Sequence, residues 1–293
     1  MNTVRPLHYG LLSLALMAAP APAAVLFSND APNDEIGMAS RPQSNLGKLA
    51  IEAADDFAFD TATQLTGATF TGLLSTDFLS IGSISSVRVE IFRVFPFDSD
   101  TVRAINVPTR QNSPADHARW QRESGIEMRF STSFPVQGQA LNSVVNNIHP
   151  RTIPTGGEGS VVGQLIHFTT YFTTPIDLVA GHYFFVPQVE LTNGNFLWLS
   201  GPRPALSAFP AGQNDLQAWI RNEYLAYDWM RVGQDIVGGS ATFNGAFSLI
   251  GAPVPEAQTW AMLAVGLAVL GLWSSRRRAM RAGHGLTQRP SSC

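Results

Sequence analysis

Ser86-Val87-Arg88-Val89-Glu90-Ile91-Phe92-Arg93-Val94-Phe95 alternates polar and apolar side chains through most of its length. A period of two fits a half-buried strand and no helix. Asp56-Phe57-Ala58-Phe59-Asp60 repeats the alternation, and Thr66 to Leu74 and Val161 to Thr174 are rich in Thr, Phe, Val and Ile, which suit a pleated surface. Tyr183 to Val186, Val189 to Thr192, Phe196 to Leu199 and Ala241 to Ile250 extend the series. Asn193-Gly194 lies between two such runs and predicts a type I′ hairpin, which needs positive φ at both central residues. Helical pattern is scarce. Ser113-Pro114-Ala115-Asp116 reads as a helix start running on to Glu123, and Asn214 to Ile220 as a short turn. The loops Phe97 to Arg110, Asn146 to Gly159 and Gly201 to Gly212 separate the runs, and the chain carries 25 glycines and 19 prolines. This pattern predicts an all-β chain, a β-sandwich of jelly-roll type.

The two ends do not belong to that pattern. Arg5 and His8 precede the apolar run Leu11 to Ala18, and Ala19 to Ala24 is a small-residue stretch with Ala21-Pro22-Ala23 as a cleavage pattern. This order predicts an N-terminal signal peptide over 1–24, cut by signal peptidase after Ala23 or Ala24. Pro20 and Pro22 would break a buried helix there. At the other end, Val254-Pro255-Glu256-Ala257 precedes an apolar run from Trp260 to Trp273, followed by Arg276-Arg277-Arg278. The interval from Ala257 to Ser275 would make roughly 28 Å of helix at ~1.5 Å per residue, close to a ~30 Å hydrocarbon core. Bounding tryptophans and a basic flank predict a transmembrane helix with its arginines in the cytoplasm. The divisions expected are therefore 1–24, an exported domain over 25–252, a sorting segment over 253–278 and a basic tail over 279–293.

The C-terminal order of elements resembles the PEP-CTERM sorting signal, in which a Val-Pro-Glu-Pro motif leads into an apolar helix and an arginine-rich end. Ala257 stands where that family has its second proline, and the tail beyond Ala279 is longer than usual. The resemblance implies an exosortase as processing partner, an inner-membrane anchor before cleavage and delivery to the cell surface or extracellular matrix of a Gram-negative bacterium. It also implies contact with exopolysaccharide, as in a biofilm matrix. Asp55-Asp56-Phe57 loosely resembles the start of other proteins of that class.

Between Val25 and Pro255 there are 13 basic and 21 acidic residues, a net charge near −8. That sign argues against nucleic acid, which needs a basic footprint. Cys293 is the only cysteine and Lys48 the only lysine, so disulfides, thiolate metal sites and a cysteine nucleophile are excluded from the exported domain.

Catalytic motifs are absent. His117, His149, His167 and His182 show no metal-ligand spacing, no G-x-S-x-G elbow is present, and Gly156-Gly157-Glu158-Gly159 lacks the Lys-Ser/Thr of a phosphate loop, reading as a flexible loop. Asp98 and Asp100, or Asp55 and Asp56, could offer oxygens to Ca²⁺, although a solvated turn explains them as well. Trp219, Tyr224, Tyr227 and Trp229 crowd one segment beside Arg, Asn, Glu and Asp, with Trp198 upstream. Such rings could stack on sugars or could close the core. The reading that results is a non-enzymatic, structural or glycan-contacting surface protein with no required cofactor. The alternative is a secreted glycan hydrolase using a carboxylate pair.

Overall fold

The computed structural model describes residues 23–44, 47–75, 83–94, 97–98, 110–111, 120–133, 136–149, 154–205, 208–211, 215–225, 228–254 and 264–273. In chain order the strands are β1 (Ala24–Ser28), β2 (Ile36–Ala39), β3 (Ile51–Phe59), β4 (Thr63–Ser75), β5 (Ile84–Arg93) and β6 (Phe97–Asp98). They continue with β7 (Arg110–Gln111), β8 (Trp120–Glu123), β9 (Met128–Ser133), β10 (Gln137–Ala140), β11 (Asn142–Val144) and β12 (Val161–Leu178). The last six are β13 (Gly181–Leu191), β14 (Phe196–Gly201), β15 (Trp219–Asn222), β16 (Met230–Arg231), β17 (Asn244–Gly245) and β18 (Phe247–Pro253). A turn of π-helix, Val232–Val237, follows β16. The chain is all-β, as its alternation predicts.

Two sheets carry the fold. The larger has the order β1-β18-β4-β14-β2-β11, with β12 along the other side of β4 and β9 and β10 on the far side of β12. The smaller runs β16-β15-β3-β13-β5-β8. Strand β4 organises the first sheet: β12 pairs with it over its whole length, while β18 and β14 share its opposite edge.

Alternation decides which side chains enter the core. Along β3, Ile51, Ala53, Phe57 and Phe59 join the main cluster, as does Ala58 near the strand's end, whereas Ala54 belongs to a second cluster with Phe92, Phe184, Val186, Trp219 and Trp229. Successive residues of one strand point to opposite faces, so the first set fills the space between the sheets and the second covers the smaller sheet's outer face. Rings hold the interior together. Phe185 of the smaller sheet stacks on Phe247 of the larger with centroids 4.8 Å apart, and Phe70 stacks on its ladder partner Phe168, also at 4.8 Å. Each such ring removed from water contributes about 1.5–3 kcal/mol.

The Asn193-Gly194 segment is not a hairpin. Strand β13 pairs with β3 and β5, and β14 pairs with β2, β4 and β17, so the turn carries the chain from one sheet to the other. Gly194 has φ +74°, but Asn193 is not among the residues with positive φ, so the type I′ geometry is not met. The turn is pinned from outside instead. Lys48 Nζ donates to the Gly194 carbonyl at 2.6 Å, and Arg41 Nη1 to Asn195 Oδ1 at 2.7 Å.

The expected helix and the expected short turn are both corrected where they are described. Trp120–Glu123 is a strand on the edge of the smaller sheet, paired with β5, and Trp219–Asn222 is a strand beside β3. In each case ladder pairing with an apolar neighbour outweighs local helix signals. The two runs expected at Tyr183–Val186 and Val189–Thr192 are one strand through Pro187. Its pairing with β3 ends at Phe185, so the missing proline N–H disrupts no second ladder.

At the C-terminus, residues 264–273 are helical and exposed throughout, Trp273 included. Among the described residues no helix is long and apolar enough to cross a membrane. Pro255, Glu256, Ala257, Trp260, Arg276, Arg277 and Arg278 lie outside the described residues, as do 1–22. Ala23 and Ala24 are exposed, and Val254 is partly exposed just after β18.

Candidate functional site

Three of the five aromatic residues expected at a sugar-stacking surface are core residues. Trp198 is fully enclosed between the sheets, its Nε1 donating to the Ala246 carbonyl at 3.0 Å and its ring edge-on to Phe185 and Phe247. Trp229 is also fully buried, lying parallel to Phe184 with centroids 6.5 Å apart and edge-on to Phe92. Trp219 is 6% exposed in the same outer layer. Tyr224 is 76% exposed and stands apart, and Tyr227 lies outside the described residues. No strip of ring faces forms from the described members of this set, because a domain without disulfides uses its largest rings for packing.

The layer these tryptophans make brings charge to the smaller sheet. Arg221, 5% exposed, sits with its guanidinium 4.4 Å from the Trp229 ring centroid and 5.4 Å from that of Phe92. Its Nε donates to Glu52 on the adjacent strand. Close by on β5, burial pushes the Glu90 carboxyl up to about 8, repulsion from Glu52 adding to the shift and Arg88 opposing it.

A second polar group runs through β3. Asp55 and Asp56 are both fully buried and leave the strand on opposite faces. Asp55 Oδ2 accepts the Gly245 N–H at 2.8 Å, while burial, the Asp56 charge and the Asp215 charge drive its pKa well above the usual carboxylate range. Asp56 Oδ1 accepts the Leu216 N–H at 3.0 Å, and its Oδ2 lies 2.5 Å from His182 Nε2. Burial raises the Asp56 pKa, and the His182 contact opposes the rise. With their carboxylates buried and aimed to opposite faces of the strand, Asp55 and Asp56 do not make the calcium pair that their adjacency suggested.

Where this group reaches the surface there is a cleft of about 240 Å³, lined by Arg203, Asp215, Leu216, Gln217, Trp219, Arg231, Gln234 and Thr242. All eight come from residues 203–242, between β14 and β17, the stretch that lays the outer aromatic layer. Asp215 Oδ2 accepts from Arg203 Nε at 2.7 Å and its Oδ1 from Asn244 Nδ2 at 2.7 Å. Burial, then repulsion from Asp56, raises the Asp215 pKa to about 6 against the pull of Arg203. Arg231 is clamped to Asp235 four residues on, through Nε at 3.0 Å and Nη2 at 2.6 Å. Gln217 Oε1 accepts the Gly233 N–H at 3.1 Å, which fixes the amide and turns its Nε2 away from that bond.

The remaining sequence candidates are placed as follows. Asp98 falls in the two-residue ladder of β6 with β7, opposite Arg110, and Asp100 lies outside the described residues. Among the described residues no group of three or more His, Cys, Asp or Glu is arranged to hold a metal ion. His167 Nδ1 is 2.9 Å from Thr71 Oγ1 on the neighbouring strand, and His149 is exposed. The Gly156-Gly157-Glu158-Gly159 loop is anchored rather than loose. Glu158 Oε1 accepts the backbone N–H groups of Val145, Asn146 and Asn147, and Asn142 binds the Gly156 carbonyl and the Gly159 N–H. The anion cradle in this loop is thus filled by the chain's own carboxylate.

Arg203, Asp215, Gln217 and Arg231 are absent from the residues singled out by motif. The Arg231–Asp235 spacing was visible as a four-residue ion pair. The convergence of Arg203 and Asp215 on it depends on a crossing of loops that no local pattern announces. No family model, curated protein or solved structure matches this chain.

Proposed function

We propose that this chain is an exported, non-catalytic surface protein: a jelly-roll β-sandwich over 25–252 delivered by two removable addresses. The N-terminal 1–24 directs export and is removed by signal peptidase. The segment 253–278 holds the chain in the inner membrane, with 279–293 in the cytoplasm. An exosortase then cuts near Val254-Pro255-Glu256-Ala257, and the domain reaches the cell surface or extracellular matrix, where it serves a structural role against exopolysaccharide.

One observation carries this reading. Strand β1 pairs antiparallel with β18, Ala24 opposite Gly251 and Ser28 opposite Ser248. The first strand therefore begins beside the point where the last one ends, at Pro253. The boundaries of the domain thus lie side by side on one edge of the larger sheet, with Ala24 opening β1 and Pro253 ending β18. A body built this way can be tethered by either segment or by none without repacking its core. The sandwich type is supported by strand order. Eight strands in chain order, β1, β3, β4, β5, β8, β12, β13 and β18, form sheets ordered β1-β18-β4-β12 and β3-β13-β5-β8. Numbered one to eight they read 1-8-3-6 and 2-7-4-5, the interleaving of a double Greek key. The non-catalytic reading is supported by the state of Asp215, whose two carboxyl oxygens are both engaged by Arg203 and Asn244, which leaves it poorly placed to act as a hydrolase acid.

Terminal mass spectrometry on the protein from its own host tests the proposal. The released form should begin at Ala24 or Val25 and end between Val254 and Ala257. Recovery of the intact chain from cytosol, residues 1–24 still attached, would overturn it.

A further inference from the structure

The cleft between β14 and β17 is better supplied with donors than with acceptors. Arg203 spends Nε and Nη2 on Asp215, and Arg231 spends Nε and Nη2 on Asp235. Among the described residues, no protein group accepts from Nη1 of either guanidinium or from Nε2 of Gln217. The carboxylate acceptors on the same walls are consumed, since both oxygens of Asp215 and both of Asp235 already take hydrogen bonds from their partners, and only the exposed Gln234 and Thr242 keep a neutral acceptor each. Beside those two, what remains open to a ligand is a set of N–H groups, two of them on permanently charged planar forks. Such forks match the oxygens of a carboxylate or sulfate, and charge-assisted bonds of this kind are about twice as strong as neutral ones.

We propose that this cleft binds a single oxyanion, a carboxylate or sulfate group carried on a small polar ligand, through the unspent ends of Arg203 and Arg231 with Gln217 as third donor. The aspartates act as positioning residues. Asp215 and Asp235 hold the two guanidiniums in place, and Trp219 closes one wall. A neutral sugar finds only the two exposed neutral acceptors of Gln234 and Thr242 for its hydroxyls and gains nothing from the two positive charges, so it is held far more weakly than an oxyanion. The site is independent of the export reading, and either can fail without the other.

Acidity should tune it. The charged and titratable groups around Asp215 are Arg203, Asp56 and Asp55 of β3, His182 of β13, and the Arg231–Asp235 pair. Protonation of Asp215 near pH 6 leaves Arg203 without its counter-charge, so the anion is held more tightly below that pH than above it.

The test is calorimetric titration of the full chain in detergent micelles with D-glucuronate, sodium sulfate and D-glucose at millimolar concentration. Glucuronate and sulfate should bind and displace one another, glucose should give no heat, and affinity should rise as pH falls from about 7.5 to about 5.5. Arg203→Gln should weaken sulfate about tenfold without unfolding the domain, because that side chain is 60% exposed. The proposal is overturned if neither anion binds, if glucose binds as well as glucuronate, if acidification leaves affinity unchanged, or if Arg203→Gln is silent.

Discussion

Asp55 on β3 and Gly245 on β17 meet across the interior, the carboxylate of one accepting the backbone N–H of the other at 2.8 Å. The two residues belong to different sheets, and both are buried. Gly245 is also the floor on which Trp198 lies, since a Cβ there would overlap the indole ring. One hydrogen bond and one ring contact thus fix how the end of the 203–245 stretch enters the core.

Replacing Asp55 separates the acceptor from the charge. Asparagine keeps an oxygen for the Gly245 N–H and should leave stability within about 1 kcal/mol of the parent. Alanine leaves that N–H buried and unpaired, a loss of about 1–3 kcal/mol. Urea unfolding of Asp55→Asn and Asp55→Ala measures both, and equal losses would show that the bond contributes nothing.

Gly245→Ala forces a methyl group against Trp198, enclosed on every side by Phe185, Phe247 and the Ala246 carbonyl. With no room for the ring to withdraw, overpacking should cost about 1–3 kcal/mol. A paired Trp198→Phe change should recover part of it, and thermal melts of the single and double variants read the recovery.

Chain-local pattern was enough for β3, β4, β5, β12, β13, β14 and β18, and insufficient for β8, for β15 and for which strands pair. Val87, Val89 and Ile91 on one face, with Arg88 and Glu90 on the other, announce β5 because period two is a property of neighbours in sequence. Asn193-Gly194 misleads for the same reason. The dipeptide favours a tight turn, but β13 and β14 are captured by strands far along the chain, and only Lys48 and Arg41 reveal where the turn is held. The tryptophans illustrate a further limit. Trp219 and Trp229 are set among Arg221, Asn222, Glu223 and Asp228 in sequence, which suits a wet surface, yet the rings pack inward and Arg221 is drawn in with them. The cleft itself was illegible because Arg203, Asp215 and Arg231 meet only through the path of the loop.

Stability should fall as the solution becomes more alkaline. Glu90 is pushed up to about 8 from 4.5, and Asp215 to about 6 from 3.8, each chiefly by burial, with Asp55 and Asp56 shifted in the same direction. Between its unfolded and folded pKa such a carboxyl binds more protons folded than unfolded, so the stability it lends is present at the acid side and lost as pH rises through the window. Unfolding free energy should therefore drop by on the order of 2–4 kcal/mol between about pH 5 and about pH 8. Glu90→Gln should make the decline shallower across the whole interval from about pH 5 to about pH 8, because Glu90 lies between its unfolded and folded values throughout it, leaving only the slope that the aspartates supply.

The outer aromatic layer makes the sharpest distinction between packing and binding roles. Trp229→Ala removes the ring that stacks beside Phe184 and carries the Arg221 guanidinium at 4.4 Å. A buried tryptophan truncated to alanine costs about 3–5 kcal/mol, and here the loss also strips a cation–π contact from a buried charge. Tyr224→Ala, by contrast, alters a side chain on a residue 76% exposed and should change stability by less than about 0.5 kcal/mol. Because Arg221 also depends on Glu52, the pair Trp229→Phe and Arg221→Lys should lose less together than the sum of their separate effects. Denaturant midpoints across these four single variants and the double one settle the assignment: a silent Trp229→Ala, with Tyr224→Ala destabilising, would place the layer's energy at the surface instead of beneath it.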